Sequence, residues 1–384
     1  MRILSLFSGA GGSCLGWHAL GVEHALCCEW DANAGATLAA AGFPWSPTDL
    51  SDSEALRAAL SPLAGSIDVL EASPPCQAWS SAGSRLGARD PRNGWPWTWD
   101  ACDVVKPRWL VAENVPGLLS HRGECPTRSG GYPEPLDCPG CYWLEVILPE
   151  ARRRFAWVGS WFLNAADYGV PQHRRRVFLV CGPRPAAPPA PTHGDPATLR
   201  QRGLFAPARA PWVTMREALN LGGSAEVIGG GCNPQRAEVD RTYRQITDEP
   251  STAVSAVQIW NAGPWVQHME GAPRDLSHPA PALGSRGNTM LLERPAPSVS
   301  ASSEVRGSGA GSNPEKMQRA SDALYLSTGR RRLTVAEVAA LQNFPTDHPW
   351  QGTQTSRYRQ VGNAVPPALA EAVGRAILGA DRDR

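Results

Sequence analysis

Short apolar runs alternate with helix-like segments through the first half of the chain. The apolar runs predict strands at residues 2–7, 24–29, 67–72, 108–113 and 177–181. The connections between them are long enough for crossover helices, so the pattern predicts a parallel sheet with helices on both faces. In such sheets ligands bind at the carboxyl ends of the strands. The residues that follow each strand are therefore the first candidates for a functional site.

The second half of the chain has a different character. Residues 183–191 are rich in Pro and Ala, and from there to about residue 330 the chain is rich in Gly, Pro, Ser and Arg without clear periodicity. Regular patterning returns at Leu333, where Thr334 and Glu337 predict a helix-capping box, and a last helix is predicted at residues 366–378. We therefore predict a discontinuous α/β domain at 1–185 and 332–384, with a loop-rich lobe inserted at 186–331.

Composition narrows the function classes only slightly. The chain has 384 residues, of which 42% are hydrophobic, and no apolar run approaches the ~20 residues that a membrane span requires. Residues 1–7 lack the basic and apolar regions of a signal peptide, which favours a cytoplasmic protein without a membrane partner. The formal net charge of +1 does not by itself indicate a nucleic-acid partner.

A glycine-rich turn follows the first predicted strand. Gly9, Gly11 and Gly12 lie between that strand and a helix, and Glu29 ends the second strand, where an acid can accept hydrogen bonds from ribose hydroxyls. Cys14 stands where a dinucleotide fingerprint would need a third glycine, so a nicotinamide-dependent enzyme is disfavoured. Close packing alone would explain an isolated glycine turn equally well.

The third and fourth predicted strands end in residues suited to nucleophilic catalysis. Pro74 and Pro75 fix the backbone before Cys76, whereas a structural cysteine would more naturally lie within an apolar run. Glu113 ends the next strand and should face the same cleft. Arg174 and Arg176 alternate in an extended segment and should point to one side. The alternative interpretations are that Glu113 is only a solvated acid and that residues 174–176 are only a solvated basic run.

Taken in order, these blocks resemble the motifs of the cytosine-5 DNA methyltransferases. The resemblance covers residues 1–182 and 330–380 and places the family's target-recognition domain in the variable lobe. It rests on the glycine turn, Glu29-Trp30, Asp49, the Pro-Pro-Cys-Gln block at 74–77, Glu113-Asn114-Val115, the Gln-x-Arg-x-Arg block at 172–176, the segment 332–345 and the block 360–367. It implies a Rossmann-like, S-adenosylmethionine-dependent methyltransferase fold.

The resemblance also implies a reaction and its residues. A methyl group would pass from S-adenosylmethionine to carbon 5 of a cytosine flipped out of a specific DNA sequence. The Cys76 thiolate would attack carbon 6, Glu113 would hydrogen-bond or protonate ring nitrogen 3, and Arg174 and Arg176 would hold the carbonyl oxygen. The polar stretch 80–93 resembles the mobile loop that closes over the base.

The cofactor positions implied by the resemblance are Phe7, Gly9, Gly11, Glu29, Trp30, Asp49 and Asn363. Phe7 and Trp30 would sandwich the adenine, and Asp49 would accept from its amino group. Ser5 departs from the family pattern, because many members carry Asp there.

A second departure is an insertion between Glu113 and Gln172. It contains His121, Cys125, Cys138 and Cys141, whose spacing is compatible with four tetrahedral ligands of a structural zinc ion. Reduced loop cysteines are the alternative.

Two other functions fit the same motifs. A tRNA cytosine-5 methyltransferase is disfavoured because the Cys-Phe-Thr motif of those relatives is absent, and a catalytically silent DNA-binding regulator is disfavoured because Cys76 and Glu113 are both present. The expected partner is double-stranded DNA, read by loops of the lobe in the major groove. A cognate restriction endonuclease acting on the same site and a monomeric enzyme are further expectations.

Overall fold

The computed structural model describes residues 1–76, 79, 87–120, 138–200, 208–220 and 333–382, with six short strands between residues 225 and 332. The strands are β1 Arg2–Leu6, β2 Glu23–Cys28, β3 Trp45–Ser46, β4 Val69–Ala72, β5 Trp109–Asn114, β6 Trp157–Asn164, β7 Gln172–His173, β8 Arg175–Gly182, β9 His193–Gly194, β10 Ala210–Pro211, β11 Ala225–Gly229, β12 Val257–Asn261, β13 Pro273–Arg274, β14 Ala280–Pro281, β15 Met290–Leu292 and β16 Arg330–Arg332. The α-helices are α1 Gly12–His18, α2 Ala32–Ala40, α3 Ser53–Leu60, α4 Trp95–Val105, α5 Pro139–Tyr142, α6 Leu148–Arg154, α7 Pro196–Arg200, α8 Met215–Leu219, α9 Val335–Leu341, α10 Gln354–Asn363 and α11 Pro367–Arg382.

The largest sheet has seven strands in the order β3-β2-β1-β4-β5-β8-β6. Every strand predicted from the sequence belongs to it, and the first five strands in this order are parallel. The expectation of an all-parallel sheet is wrong for β8, which pairs antiparallel with both β5 and β6. The reason is β6, which the sequence pattern did not indicate. Only residues 165–174 join β6 to β8, and that link is too short for a crossover helix.

Chain segments far apart in sequence complete the core around this sheet. Strand β4 is buried throughout, and Trp95 and Trp99 of α4 pack into the main apolar cluster. Arg108 and Trp109, at the start of β5, contact Asp381 of α11 through a 2.9 Å ion pair and a 3.1 Å hydrogen bond. The C-terminal helix is therefore tied to the strands of the N-terminal half.

The chain forms two compact units. One contains Met1–Asn164, Arg175–Ala190 and Leu369–Arg384, and the other contains Ala165–Arg174 and Pro191–Ala368. In the second unit the predicted capping box is confirmed. The Thr334 hydroxyl accepts the Glu337 backbone N–H, and the Glu337 carboxylate accepts the Thr334 backbone N–H. The predicted last helix is also confirmed, as Pro367–Arg382. Within the described residues no helix combines the length and apolar character that a membrane crossing demands.

Candidate active site

The glycine turn between β1 and α1 has the backbone conformation that its sequence requires. Phe7, Gly9 and Gly11 all have positive φ, at 55°, 56° and 85°. A Cβ at Gly11 would lie 2.9 Å from the Leu38 side chain, so the turn needs glycine there on two grounds. A Cβ at Gly9 would meet nothing within 4 Å. The turn is therefore packed beneath Gly11 and open above Gly9, which leaves room for a ligand against the backbone.

Glu29 fastens this turn to the end of β2. One carboxylate oxygen accepts the Gly9 backbone N–H at 2.8 Å, and the other accepts the Asp31 N–H at 2.8 Å. Burial raises the pKa of Glu29, and these two backbone donors act in the opposite direction. From the sequence, Glu29 was expected only to accept hydrogen bonds from ribose hydroxyls. Each oxygen also has a second lone pair, so the fold-holding role and hydrogen bonding to a ribose are compatible.

The other predicted cofactor residues of the first unit surround the same strand ends. Trp30 is 75% exposed and so has a ring face available for stacking. Phe7 is half-buried, with its ring 6.3 Å from that of Trp97. Asp49 is exposed, and one of its oxygens accepts from the Ser51 N–H and hydroxyl at 2.9 and 2.7 Å. Open glycine backbone, an exposed aromatic face and a nearby carboxylate fit an adenosine-containing ligand.

The Cys76 loop lies directly beside the glycine turn. A Cβ at Gly94 would be 2.8 Å from Phe7 Cζ and 2.9 Å from Pro75 Cδ, so both rings contact this glycine. Ser73 donates its N–H to the Leu6 carbonyl at 3.2 Å. The loop is thus held against the end of β1, and Cys76 itself is partly exposed, as a nucleophile requires.

A second hydrogen bond ties the loop to β5, the strand that ends beside Glu113. Asn114 donates from its side chain to the Pro74 carbonyl at 3.2 Å and is buried. Glu113 pairs with Arg176 of β8, with 2.6 Å between Oε1 and Nε, and both side chains are nearly buried. The fold therefore brings three of the predicted catalytic residues to neighbouring strand ends of one unit.

Arg174 and Asn363 belong to the second unit. Arg174 is 2% exposed and donates from Nη1 to the Gly362 carbonyl at 3.1 Å, next to the exposed Asn363 at the end of α10. Gln172 donates to the Leu341 carbonyl at 3.3 Å. The blocks 172–176, 332–345 and 360–367, which are distant in sequence, are thus joined by buried hydrogen bonds.

Arg92 is a candidate site residue that the sequence did not single out. Its guanidinium forms two hydrogen bonds with Asp90, at 2.8 and 2.7 Å. The Asp90 carboxylate raises the pKa of Arg92, and a Cys76 thiolate adds to that effect because it lies nearby. By reciprocity Arg92 stabilises the thiolate. The sequence placed Arg92 only within the polar stretch 80–93, and residues 80–86 of that stretch lie outside the described residues.

Glu71 of β4 was also missed. Its side chain is 3% exposed, and one of its oxygens has no hydrogen-bond partner among the residues that the structure describes. Burial raises its pKa to about 7, the nearby serine hydroxyls lower it, and the Glu113 charge adds a small increase. No local pattern distinguishes a buried Glu in a strand from an exposed one.

Half of the predicted zinc site can be located. Cys138 and Cys141 are 7% and 0% exposed and pack against each other, while His121 and Cys125 lie outside the described residues. The zinc hypothesis stays a prediction.

Comparison with known proteins identifies the class of enzyme. The chain matches the family described as C-5 cytosine-specific DNA methylase over residues 1–186 and 242–379. It is 29% identical to the Type II methyltransferase M.NaeI of Lentzea aerocolonigenes, covering 99% of this chain and 75% of that protein. It is 34% identical to the Type II methyltransferase M.AquIA of a Picosynechococcus species, covering 57% of this chain and 88% of that protein. Among solved structures, the S. pombe Dnmt2 methyltransferase has a TM-score of 0.56 at 13% identity, covering 100% of this chain and 99% of that one.

The chain belongs to the C-5 cytosine-specific DNA methylase family. It is a DNA (cytosine-5)-methyltransferase with a Rossmann-like α/β fold, and it uses S-adenosylmethionine as its methyl donor. The family match supports methylation of DNA and not the tRNA or silent-regulator alternatives.

Proposed function

We propose that this enzyme methylates a flipped-out cytosine in one specific sequence of double-stranded DNA through a covalent adduct between Cys76 and carbon 6. The observation that supports this assignment is the position of the cysteine loop. On one side the loop is held against the glycine turn, because Phe7 and Pro75 both contact Gly94. On the other side Asn114 bonds to the Pro74 carbonyl, next to the Glu113–Arg176 pair. The nucleophile, the acid and the cofactor residues of the first unit are thus proposed to share one set of strand ends, where ligands of such sheets bind.

The proposed reaction assigns each step to a residue. The Cys76 thiolate forms a bond to carbon 6 while Glu113 gives a proton or hydrogen bond to nitrogen 3, which stabilises the charge that develops on the ring. Carbon 5 becomes nucleophilic and takes the methyl group. A base then removes the carbon 5 proton, carbon 6 expels the thiolate, and the aromatic ring is restored. We assign Arg92 the role of a positive charge that favours the thiolate form of Cys76, because the two groups interact electrostatically.

Arg176 has two functions in this scheme. Its 2.6 Å pair with Glu113 fixes the acid at the strand end, and its remaining N–H groups are donors for the cytosine carbonyl. Arg174, which the Gly362 carbonyl holds, is proposed as the second catalytic arginine on its position in the Gln-x-Arg-x-Arg block.

For the cofactor we propose the residues Phe7, Gly9, Gly11, Glu29, Trp30, Asp49 and Asn363. S-adenosylmethionine supplies an electrophilic methyl group on its sulfonium. Trp30 offers an exposed face for the adenine, Glu29 accepts from the ribose while holding Gly9, and Gly9 leaves the turn open to the ligand.

We assign target recognition to residues 186–331, between the segments that carry the site. We further propose that the enzyme is a monomer, that it acts in the cytoplasm, and that a cognate restriction endonuclease acts on the same DNA site, in line with the Type II relatives. A structural zinc ion bound by His121, Cys125, Cys138 and Cys141 is proposed on the close packing of the last two.

The test is methyl transfer by wild type and Cys76→Ser on unmethylated DNA, mapped by sequencing after bisulfite conversion. Wild type should protect cytosines within one recurring motif, and Cys76→Ser should protect none while binding S-adenosylmethionine with unchanged affinity. Cys102→Ser changes a buried thiol of α4 and serves as the matched control. Normal turnover by Cys76→Ser would refute the mechanism.

A further inference from the structure

Three potential metal ligands converge between α1 and β2, away from the proposed catalytic residues. Cys14 lies on the helix, and His24 and Cys27 lie on the strand. Their ligand atoms are all within 4.8 Å of one another. Among the described residues this is the one group of three or more His, Cys, Asp or Glu side chains with that geometry.

An irregularity in β2 makes this convergence possible. Residues 24 and 27 of a regular strand would point to opposite faces. Ile3 pairs with His24 and Leu4 pairs with Leu26, so Ala25 is an extra residue in the ladder. Such a bulge shifts the alternation by one position and turns His24 and Cys27 toward the same side. That side faces Cys14 of the helix.

The distances suit a tetrahedral zinc ion. Zn–S bonds near 2.3 Å and Zn–N bonds near 2.0 Å place two tetrahedral thiolates about 3.8 Å apart, and a thiolate and an imidazole nitrogen about 3.5 Å apart. The Cys14 and Cys27 sulfurs are 3.6 Å apart. A disulfide would require about 2.05 Å. As thiols the two sulfurs are within S–H···S hydrogen-bond distance, and the same spacing suits two shared metal ligands and is well beyond that of a covalent bond.

The surroundings supply no other partners for these groups. Both sulfurs are fully buried beside Leu38 and Phe43. Among the described residues, neither ring nitrogen of His24 is accessible to solvent or has a hydrogen-bond partner outside the cluster. A buried imidazole with both nitrogens unsatisfied is unfavourable. A dication with two thiolates would be neutral and suited to this apolar site.

A fourth ligand is within reach. His18 follows Cys14 by four residues on α1 and so lies on the same helix face. Its ring centroid is 6.3 Å from that of His24, and both side chains line an open cavity of ≈ 410 Å³. His18 is exposed, so in the proposed site its side chain would turn toward the cluster and the ion would enter through this cavity.

We propose that Cys14, His24 and Cys27, with His18 as the fourth ligand, bind a structural zinc ion that fastens α1 to β2. This ion would lie behind the glycine turn and Glu29 and would stabilise the cofactor-binding end of the sheet. It is separate from the cysteine pair at 138 and 141.

Zinc content of freshly purified protein tests the proposal. Elemental analysis should find one zinc fewer per chain in Cys14→Ala and Cys27→Ala than in wild type and in Cys102→Ala, a buried thiol outside the cluster. A Cys138→Ala/Cys141→Ala double variant should leave this zinc in place. Equal zinc in all variants, or none in wild type, would overturn the assignment.

Wild-type protein gives a second test that does not depend on folding of the variants. After mild chelation, alkylation of Cys14 and Cys27, mapped by mass spectrometry, should be about tenfold faster than in protein resupplied with zinc.

His18→Ala should lose zinc more readily than wild type, while the Cys102→Ala control should not. Equal labelling with and without zinc, or recovery of Cys14 and Cys27 as a disulfide, would show that the cluster holds no metal.

Discussion

Glu71 makes the stability of this enzyme depend on pH in a way that one substitution can isolate. The side chain is 3% exposed in the middle of the sheet, and burial raises its pKa from the usual 4.5 to about 7. The folded chain therefore holds a proton on this carboxyl group more tightly than the unfolded chain does. Changing Glu71 to Gln removes the titration while preserving the shape of the side chain.

The magnitude follows from the two pKa values. Because the folded pKa is the higher one, the proton contributes stability that is fully present below pH 4.5 and is lost as pH rises through about 7. Each unit of pKa difference corresponds to about 1.4 kcal/mol. Between pH 5 and pH 8, wild type should lose about 2.5 kcal/mol through Glu71 alone. With an unfolding entropy of about 2.1 cal/mol/K per residue, this corresponds to about 3 °C in Tm.

Urea unfolding of wild type and Glu71→Gln at intervals from pH 5 to pH 8 measures the effect. The amide group of the Glu71→Gln variant also changes the free energy of unfolding, but that contribution does not depend on pH. The stability difference should therefore shift by about 2.5 kcal/mol in favour of the variant across the range. Glu54→Gln, at an exposed position of α3, controls for loss of a carboxylate. Parallel curves for wild type and Glu71→Gln would refute the assigned titration.

Two further substitutions test the geometry of the site. Gly94→Ala should push the Phe7 ring away, cost about 1–3 kcal/mol of stability and weaken S-adenosylmethionine binding measured by calorimetry. The control is Gly379→Ala, because a Cβ at that position has open space. Unchanged binding by Gly94→Ala would contradict the packing described. Arg92→Gln removes a positive charge that interacts with Cys76, so alkylation of Cys76 by iodoacetamide near neutral pH should become slower. An unchanged rate would remove Arg92 from the site.

The strands and the chemical motifs could be predicted because their signals are local. Apolar runs bounded by turn residues located β1, β2, β4, β5 and β8 to within about two residues, as expected when element type is clear and only the ends are ambiguous. The order of the motifs placed Cys76 and Glu113 at strand ends. Asn114, which follows Glu113, donates to the Pro74 carbonyl, as expected if parallel strands present their carboxyl ends at one edge of the sheet.

The sequence alone determined the class of this enzyme, its Pro-Pro-Cys loop and its glycine turn, because those features depend on short stretches with fixed backbone requirements. Only the tertiary structure decided the antiparallel direction of β8, the closeness of Arg92 to Cys76, the burial of Glu71 and the convergence of Cys14 with β2. Each of these depends on pairing between segments far apart in the chain, or on one extra residue at Ala25 that turns a strand. Local periodicity does not report such pairings, since their free energy arises only when the segments meet.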